Sequence, residues 1–127
     1  FHGHTFTANP TGCAAALASI GLLESDAMQA NIQRIHTHHM AFAEKMNAHP
    51  RVKTTRVLGV IFALEIAREG VESYYGNFRI RLYHYFIENG VILRPVGNIV
   101  YILPPYIMTD EQLEKVYEVV ERALEID

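Results

Sequence analysis

Gly90-Val91-Ile92-Leu93-Arg94-Pro95-Val96-Gly97-Asn98-Ile99-Val100-Tyr101-Ile102-Leu103-Pro104-Pro105-Tyr106 decides how this chain folds. Val91 to Leu93 and Ile99 to Leu103 suit two brief strands, and Gly97-Asn98 between them is a good hairpin turn. Just upstream, Asn77 caps a helix carrying Ile80, Tyr83, Phe86 and Ile87, and Asn89-Gly90 closes it with a residue free to turn left-handed. Just downstream, Thr109-Asp110-Glu111-Gln112 is a capping box for a last helix, with Leu113, Val116, Val120, Ala123 and Leu124 on one face.

Further out, Leu58 to Ile66 reads as a strand that is apolar on both faces near its middle, and Val52 to Thr54 as a short edge strand. A long helix begins at Ser25-Asp26, with Met28, Ile32, Ile35, His39, Phe42 and Met46 on one face, and ends at His49-Pro50. Asn9-Pro10 starts another, running to about Leu23. Its alanines at 14, 15, 16 and 18 let another backbone approach closely. The expected architecture is α+β: helices covering one side of a small, mostly antiparallel sheet.

The chain has 127 residues, half of them hydrophobic, which is an ordinary globular balance. A net charge of −3 offers no basic field for nucleic acid or an anionic membrane. The acids concentrate in the last helix and its tail, where seven stand against Lys115 and Arg122, a solvated face. Cys13 is the only cysteine, so no intrachain disulfide can form and a reducing cytoplasm is the expected home. Set among alanines, it reads as a small buried hydrophobe. No apolar run approaches the length of a membrane span, no signal peptide opens the chain, and a start inside a motif reads as a fragment.

Few residues could carry chemistry. Gly3-His4-Thr5 precedes a helix start, where a hydroxyl and free backbone N–H groups could cradle a phosphate; the same pattern also serves as a plain turn. Arg94, alone in an apolar hairpin, is either a strand-end arginine reaching solvent or a planar clamp for a carboxylate. Tyr101 alone reads as a core-strand residue. His36, His38 and His39 cluster on the long helix, but no cysteine or carboxylate stands at supporting spacing, so no metal site is assigned.

Two segments carry a family resemblance. Phe1-His2-Gly3-His4-Thr5-Phe6-Thr7-Ala8-Asn9-Pro10 leads into the small-residue helix Gly12 to Ser19, and Arg94-Pro95-x-Gly97-Asn98-x-x-Tyr101 is followed by Pro104-Pro105-Tyr106. Together they resemble the class III pyridoxal-phosphate aminotransferases, and within them the biotin-pathway branch. The resemblance spans essentially the whole chain and implies the C-terminal small domain of a fold-type-I enzyme. Residues 1–23 would form a phosphate-contact segment and linking helix, and residues 24–127 the small α+β domain.

On that resemblance Thr5 binds the phosphate of pyridoxal 5'-phosphate across a homodimer interface, with His4 contributing mainly its backbone. Gly3, Arg94 and Tyr101 fall on substrate positions, Arg94 on the arginine that holds the substrate carboxylate. Ala8 stands where glycine is usual, a change between two small residues. The implied reaction moves an amino group from S-adenosylmethionine to a keto acid, 8-amino-7-oxononanoate. No catalytic residue is assigned, because none of Lys45, Lys53 and Lys115 stands in a loop after a strand, where such enzymes keep their cofactor lysine. The chain alone is therefore expected to be inactive. Two other readings are the same domain of an ornithine- or aminobutyrate-type enzyme, and an α+β interaction module with no catalytic role.

Overall fold

The computed structural model describes residue 3, residues 7–67 and residues 77–126. The elements run α1 (Pro10–Leu23), α2 (Asp26–Asn47), β1 (Val52–Leu58), β2 (Ile61–Ile66), α3 (Asn77–Glu88), β3 (Ile99–Ile102) and α4 (Asp110–Ala123). The strands form one antiparallel sheet in the order β1-β2-β3. Helices α2, α3 and α4 share a core with the sheet, the α+β layer that the sequence implies.

The helix starts follow from local chemistry. Asn9 accepts from the backbone N–H groups of Thr11 and Gly12, and Ser25 from that of Met28. The capping box closes both ways: Thr109 accepts from the Gln112 backbone at 3.3 Å, and the Gln112 side chain accepts from the Thr109 backbone at 3.0 Å. Helix α3 ends with Gly90 at φ 76°, where Gly90 N–H reaches the Ile87 carbonyl and Val91 N–H the Phe86 carbonyl. Those paired bonds are the left-handed stop that Asn89-Gly90 anticipates.

Three expectations need correction. The run Leu58 to Ile66 is not one strand, because Gly59, at φ 56°, and Val60 form a two-residue turn that pairs Leu58 with Ile61. A glycine with positive φ in the first turn position matches the twist of a hairpin, and this outweighs the apolar pattern around it. Accordingly β1 extends to Leu58 rather than stopping at Thr54. On α3, only Phe86 of the expected face is buried. The core face is Phe78, Leu82 and Phe86, while Ile80, Tyr83 and Ile87 make a second apolar stripe that stays exposed. Val91 to Leu93 lies outside the sheet, with Val96↔Ile99 as the single bridge beside β3 among the described residues.

Two smaller readings also change. Cys13 is exposed, since no residue of α1 is buried among the described residues. Ala8 has φ 56°, so the position favours glycine for its backbone and not for its size. A Cβ in that left-handed conformation costs about 1–2 kcal/mol.

The core joins Phe62, Leu64, Ile66, Val100 and Ile102 from the sheet to Ile35, Phe42 and Met46 of α2, Phe78, Leu82 and Phe86 of α3, and Leu113, Val119 and Val120 of α4. Among the described residues, one polar side chain sits wholly inside it. His39 donates from Nε2 to the Val60 carbonyl at 3.0 Å and accepts at Nδ1 from the Tyr117 hydroxyl at 2.7 Å. One helical turn earlier, His36 Nδ1 donates to the Gly59 carbonyl at 3.0 Å. The histidine pair thus holds the two carbonyls of the β1–β2 turn against α2. Both bonds require ring N–H donors, which a metal ligand could not supply from the same atoms.

Burial holds the His39 pKa below its usual 6.5, with the nearby His36 and His38 acting the same way against the Val60 bond. The unfolded chain therefore takes up a proton below pH 6.5 that folded His39 refuses. Its contribution to stability is complete above pH 6.5 and is lost as the pH falls through the lower folded value. The urea midpoint should drop between neutral pH and about pH 5, and drop less in His39→Leu. Tyr117→Phe leaves Nδ1 buried without a donor and should cost about 1–3 kcal/mol at neutral pH.

Candidate substrate-carboxylate site

Residues 91–95 run extended with alternating burial: Val91, Leu93 and Pro95 point into the core, Ile92 and Arg94 away from it. The buried residues fix the segment, so Arg94 projects from a held backbone. The turn that follows is equally fixed. Gly97 has φ 61°, and Val96 and Ile99 exchange N–H to carbonyl bonds of 2.9 and 3.0 Å. Asn98 ties this turn to the end of β2. Its carbonyl accepts from Ile66 N–H at 2.9 Å and its side-chain amide donates to the Ile66 carbonyl at 2.9 Å. Two residues out from the Val96↔Ile99 bridge stand Arg94 on one arm and Tyr101 on the other.

Tyr101 is half-buried on β3, opposite Ala63, and lies on the sheet face away from the helices, between buried Val100 and Ile102. Arg94 opens instead onto a cleft of about 410 Å³ lined by Arg79, Ile80 and Tyr83 of α3, and Tyr101 is not one of its walls. The Arg94 guanidinium makes no hydrogen bond or ion pair with the described residues. Several other cations are engaged, Arg34 with Asp110 and the Met108 carbonyl, Lys45 with Glu121, and Lys53 with Glu65. Arg94 is thus held by its backbone and left with its donors available, which suits a group meant for a ligand. Cleft residues Arg79 and Tyr83 were not legible as site residues, because only the packing of α3 beside residues 91–95 brings them there.

Of the other sequence-derived positions, Gly3 is exposed, and His4 and Thr5 lie outside the described residues. The lysines do not fit a covalent cofactor anchor. Lys45 and Lys53 are paired with carboxylates at 2.6 and 2.7 Å, and Lys115 lies beside Gly90 at the edge of a groove of about 700 Å³. A lysine poised for carbonyl chemistry needs a desolvated pocket, and Lys45, Lys53 and Lys115 are all exposed. The described residues therefore offer an unengaged guanidinium at Arg94 and three exposed lysines.

Among the described residues, no group of three histidine, cysteine, aspartate or glutamate side chains could hold a metal, and no helix is long and apolar enough to cross a membrane.

Comparison with known proteins shows the family of the chain. The family model "Aminotransferase class-III" matches residues 1–124. An adenosylmethionine-8-amino-7-oxononanoate aminotransferase from Synechococcus elongatus is 38% identical over 118 residues, covering 92% of this chain and 27% of the relative. A second of that name, from Buchnera aphidicola, is 34% identical over 126 residues, covering 99% of this chain and 28% of the relative. Among solved structures, an omega-aminotransferase from Paracoccus denitrificans superposes with TM-score 0.86 at 26% identity, and covers 98% of this chain and 28% of its own. An adenosylmethionine-8-amino-7-oxononanoate aminotransferase from Methanocaldococcus jannaschii gives TM-score 0.79 at 25% identity, covering 98% of this chain and 30% of its own. The chain thus spans little more than a quarter of the length of the curated relatives it matches. It belongs to the class III aminotransferases, which are fold-type-I enzymes that use pyridoxal phosphate.

Proposed function

We propose that this chain is the substrate-carboxylate portion of a biotin-pathway aminotransferase, one that moves an amino group from S-adenosylmethionine to 8-amino-7-oxononanoate. The observation that carries the reading is Arg94, with its backbone anchored by buried Val91, Leu93 and Pro95 and its guanidinium unengaged. The names of the curated relatives support the same substrate. In this reading Arg94 pairs with the carboxylate of the keto acid, Tyr101 and Gly3 complete the pocket, and Thr5 with the His4 backbone meets the cofactor phosphate. Residues 1–23 then link to the remainder of the enzyme, and residues 24–127 form its small domain. The working form is a cytoplasmic homodimer.

A full-length enzyme carrying this segment tests the assignment directly. Supplied with 8-amino-7-oxononanoate, it should form the diamine with S-adenosylmethionine as donor. Turnover with ornithine or aminobutyrate, and none with this pair, would transfer the chain to a sister class III enzyme.

The 127 residues alone should not transaminate, because their lysines are exposed or ion-paired. Mixed with pyridoxal phosphate and reduced with borohydride, the chain should show only scattered lysine labelling by peptide mass spectrometry. A stoichiometric adduct on Lys45, Lys53 or Lys115 would overturn that expectation.

A further inference from the structure

The hairpin that carries Arg94 opens after a single bridge. Val96 and Ile99 exchange both of their backbone bonds, so alternation along the two arms turns the N–H and C=O groups of Arg94 and Ile92 toward those of Tyr101 and Leu103. The matching bonds do not form. Among the described residues, no backbone hydrogen bond reaches Ile92, Leu93 or Arg94, and none joins the arms beyond the bridge. Where the arms part lies the groove of about 700 Å³, with Ile92 on one wall and Leu103 on the other. Ile92, Leu103 and Ile107 line it while 85%, 59% and 75% exposed, a concentration of apolar surface that marks an interaction site.

Whatever covers this groove has two tasks. It buries three large apolar side chains, and it must pair the backbone groups that lose their water in the process. A helix bonds its own backbone internally, whereas an extended strand presents N–H and C=O groups along its edges. A second copy docking through the same face would set one concave groove against another and fill neither. The chain spans 27% and 28% of the length of two curated relatives, so most of a full-length enzyme lies outside it and can supply the strand. We propose that an extended segment of the full-length enzyme, from outside residues 1–127, enters this groove as an added strand. It runs antiparallel to one arm and parallel to the other, and it carries no proline at the paired positions. Its apolar side chains meet Ile92, Leu103 and Ile107. By pairing with Ile92 and Arg94 it fixes the backbone from which the Arg94 guanidinium projects. The proposal rests on membership of the family and not on the ligand assigned to Arg94.

Two measurements on the full-length enzyme test it. In residue-resolved hydrogen exchange, the amides of Ile92, Arg94 and Leu103 should exchange at least about a hundredfold more slowly than in an unstructured peptide, alongside those of the β2–β3 ladder. Rates near the unstructured value at these three positions would overturn the added strand. The second measurement replaces Ile92 with photoreactive benzoylphenylalanine and maps the crosslink by peptide mass spectrometry. The expected product keeps the mass of one polypeptide and joins position 92 to a segment outside residues 1–127. A crosslink of dimer mass would assign the groove to a second copy, and a crosslink confined to residues 1–127, or none, would leave the segment without a place there; each overturns the proposal. Retained turnover certifies the fold, and if the Ile92 variant loses it, the same replacement at Ile107 carries the comparison. Neither measurement involves substrate, so failure here leaves the Arg94 assignment standing.

Discussion

Arg94→Ala should slow the keto-acid half-reaction of a full-length enzyme by roughly 30- to 5,000-fold, a loss of about 2–5 kcal/mol. The magnitude follows from leaving the substrate carboxylate desolvated without its partner, so it depends on the rest of the enzyme covering the cleft. In the chain alone Arg94 is exposed, where such a pair is worth no more than about 1 kcal/mol. Arg94→Lys should restore little, because a lysine cannot reproduce the two parallel hydrogen bonds of a guanidinium. Stopped-flow measurement of each half-reaction should place the loss on the keto acid rather than on the amino donor. Equal losses in both would mean that Arg94 supports the pocket's structure and not one substrate.

The largest effect on stability should come from Phe62→Ala. Phe62 is fully buried on β2 and meets the rings of Phe42 at 5.1 Å and His39 at 5.8 Å, centroid to centroid. Removing it leaves a cavity among aromatic rings that hold α2 and α4 to the sheet, since Phe42 in turn stacks on Tyr117 at 4.2 Å. Such truncations cost about 3–5 kcal/mol, a large fraction of the 5–15 kcal/mol typical of a domain. Urea unfolding should show a much lower midpoint or no folded baseline. Ile92→Ala, at a residue 85% exposed, is the contrast and should shift stability by about 0.5 kcal/mol or less. A small effect at Phe62 would mean that the sheet and α2 do not form one cooperative core.

Features decided by a few neighbouring residues were legible. Asn9, Ser25 and the Thr109–Gln112 pair mark their helix starts because capping is a local bond, and Gly90 and Gly97 mark turns because each needs a positive φ. The errors arose where a local pattern allows two answers. The run from Leu58 to Ile66 is apolar enough to be continuous, yet Gly59 breaks it into a hairpin whose turn carbonyls are taken by His36 and His39. That pairing also gives His36 and His39 of the histidine cluster a structural role. Helix α3 carries two apolar stripes, and periodicity cannot say which one the sheet and α4 will cover.

The candidate site divides in the same way. Arg94 stood out as a lone charge in an apolar hairpin, and the packing then supplied what spacing could not: an anchored backbone, an unengaged guanidinium, and Arg79, Ile80 and Tyr83 across the cleft. Ala8 is a case where motif matching alone misleads. Alanine replaces glycine with little change in size, but at φ 56° the backbone favours the smaller residue for a different reason.

The central claim is that Arg94 recognises the carboxylate of the keto acid. Its most direct test compares the keto acid with its methyl ester in the full-length enzyme, before and after Arg94→Ala, with kcat/KM measured for all four combinations. The parent should prefer the acid by about 2–5 kcal/mol, and Arg94→Ala should erase that preference while leaving the ester's own rate nearly unchanged. A preference for the acid that survives Arg94→Ala would show that another group reads the carboxylate, and would contradict the account.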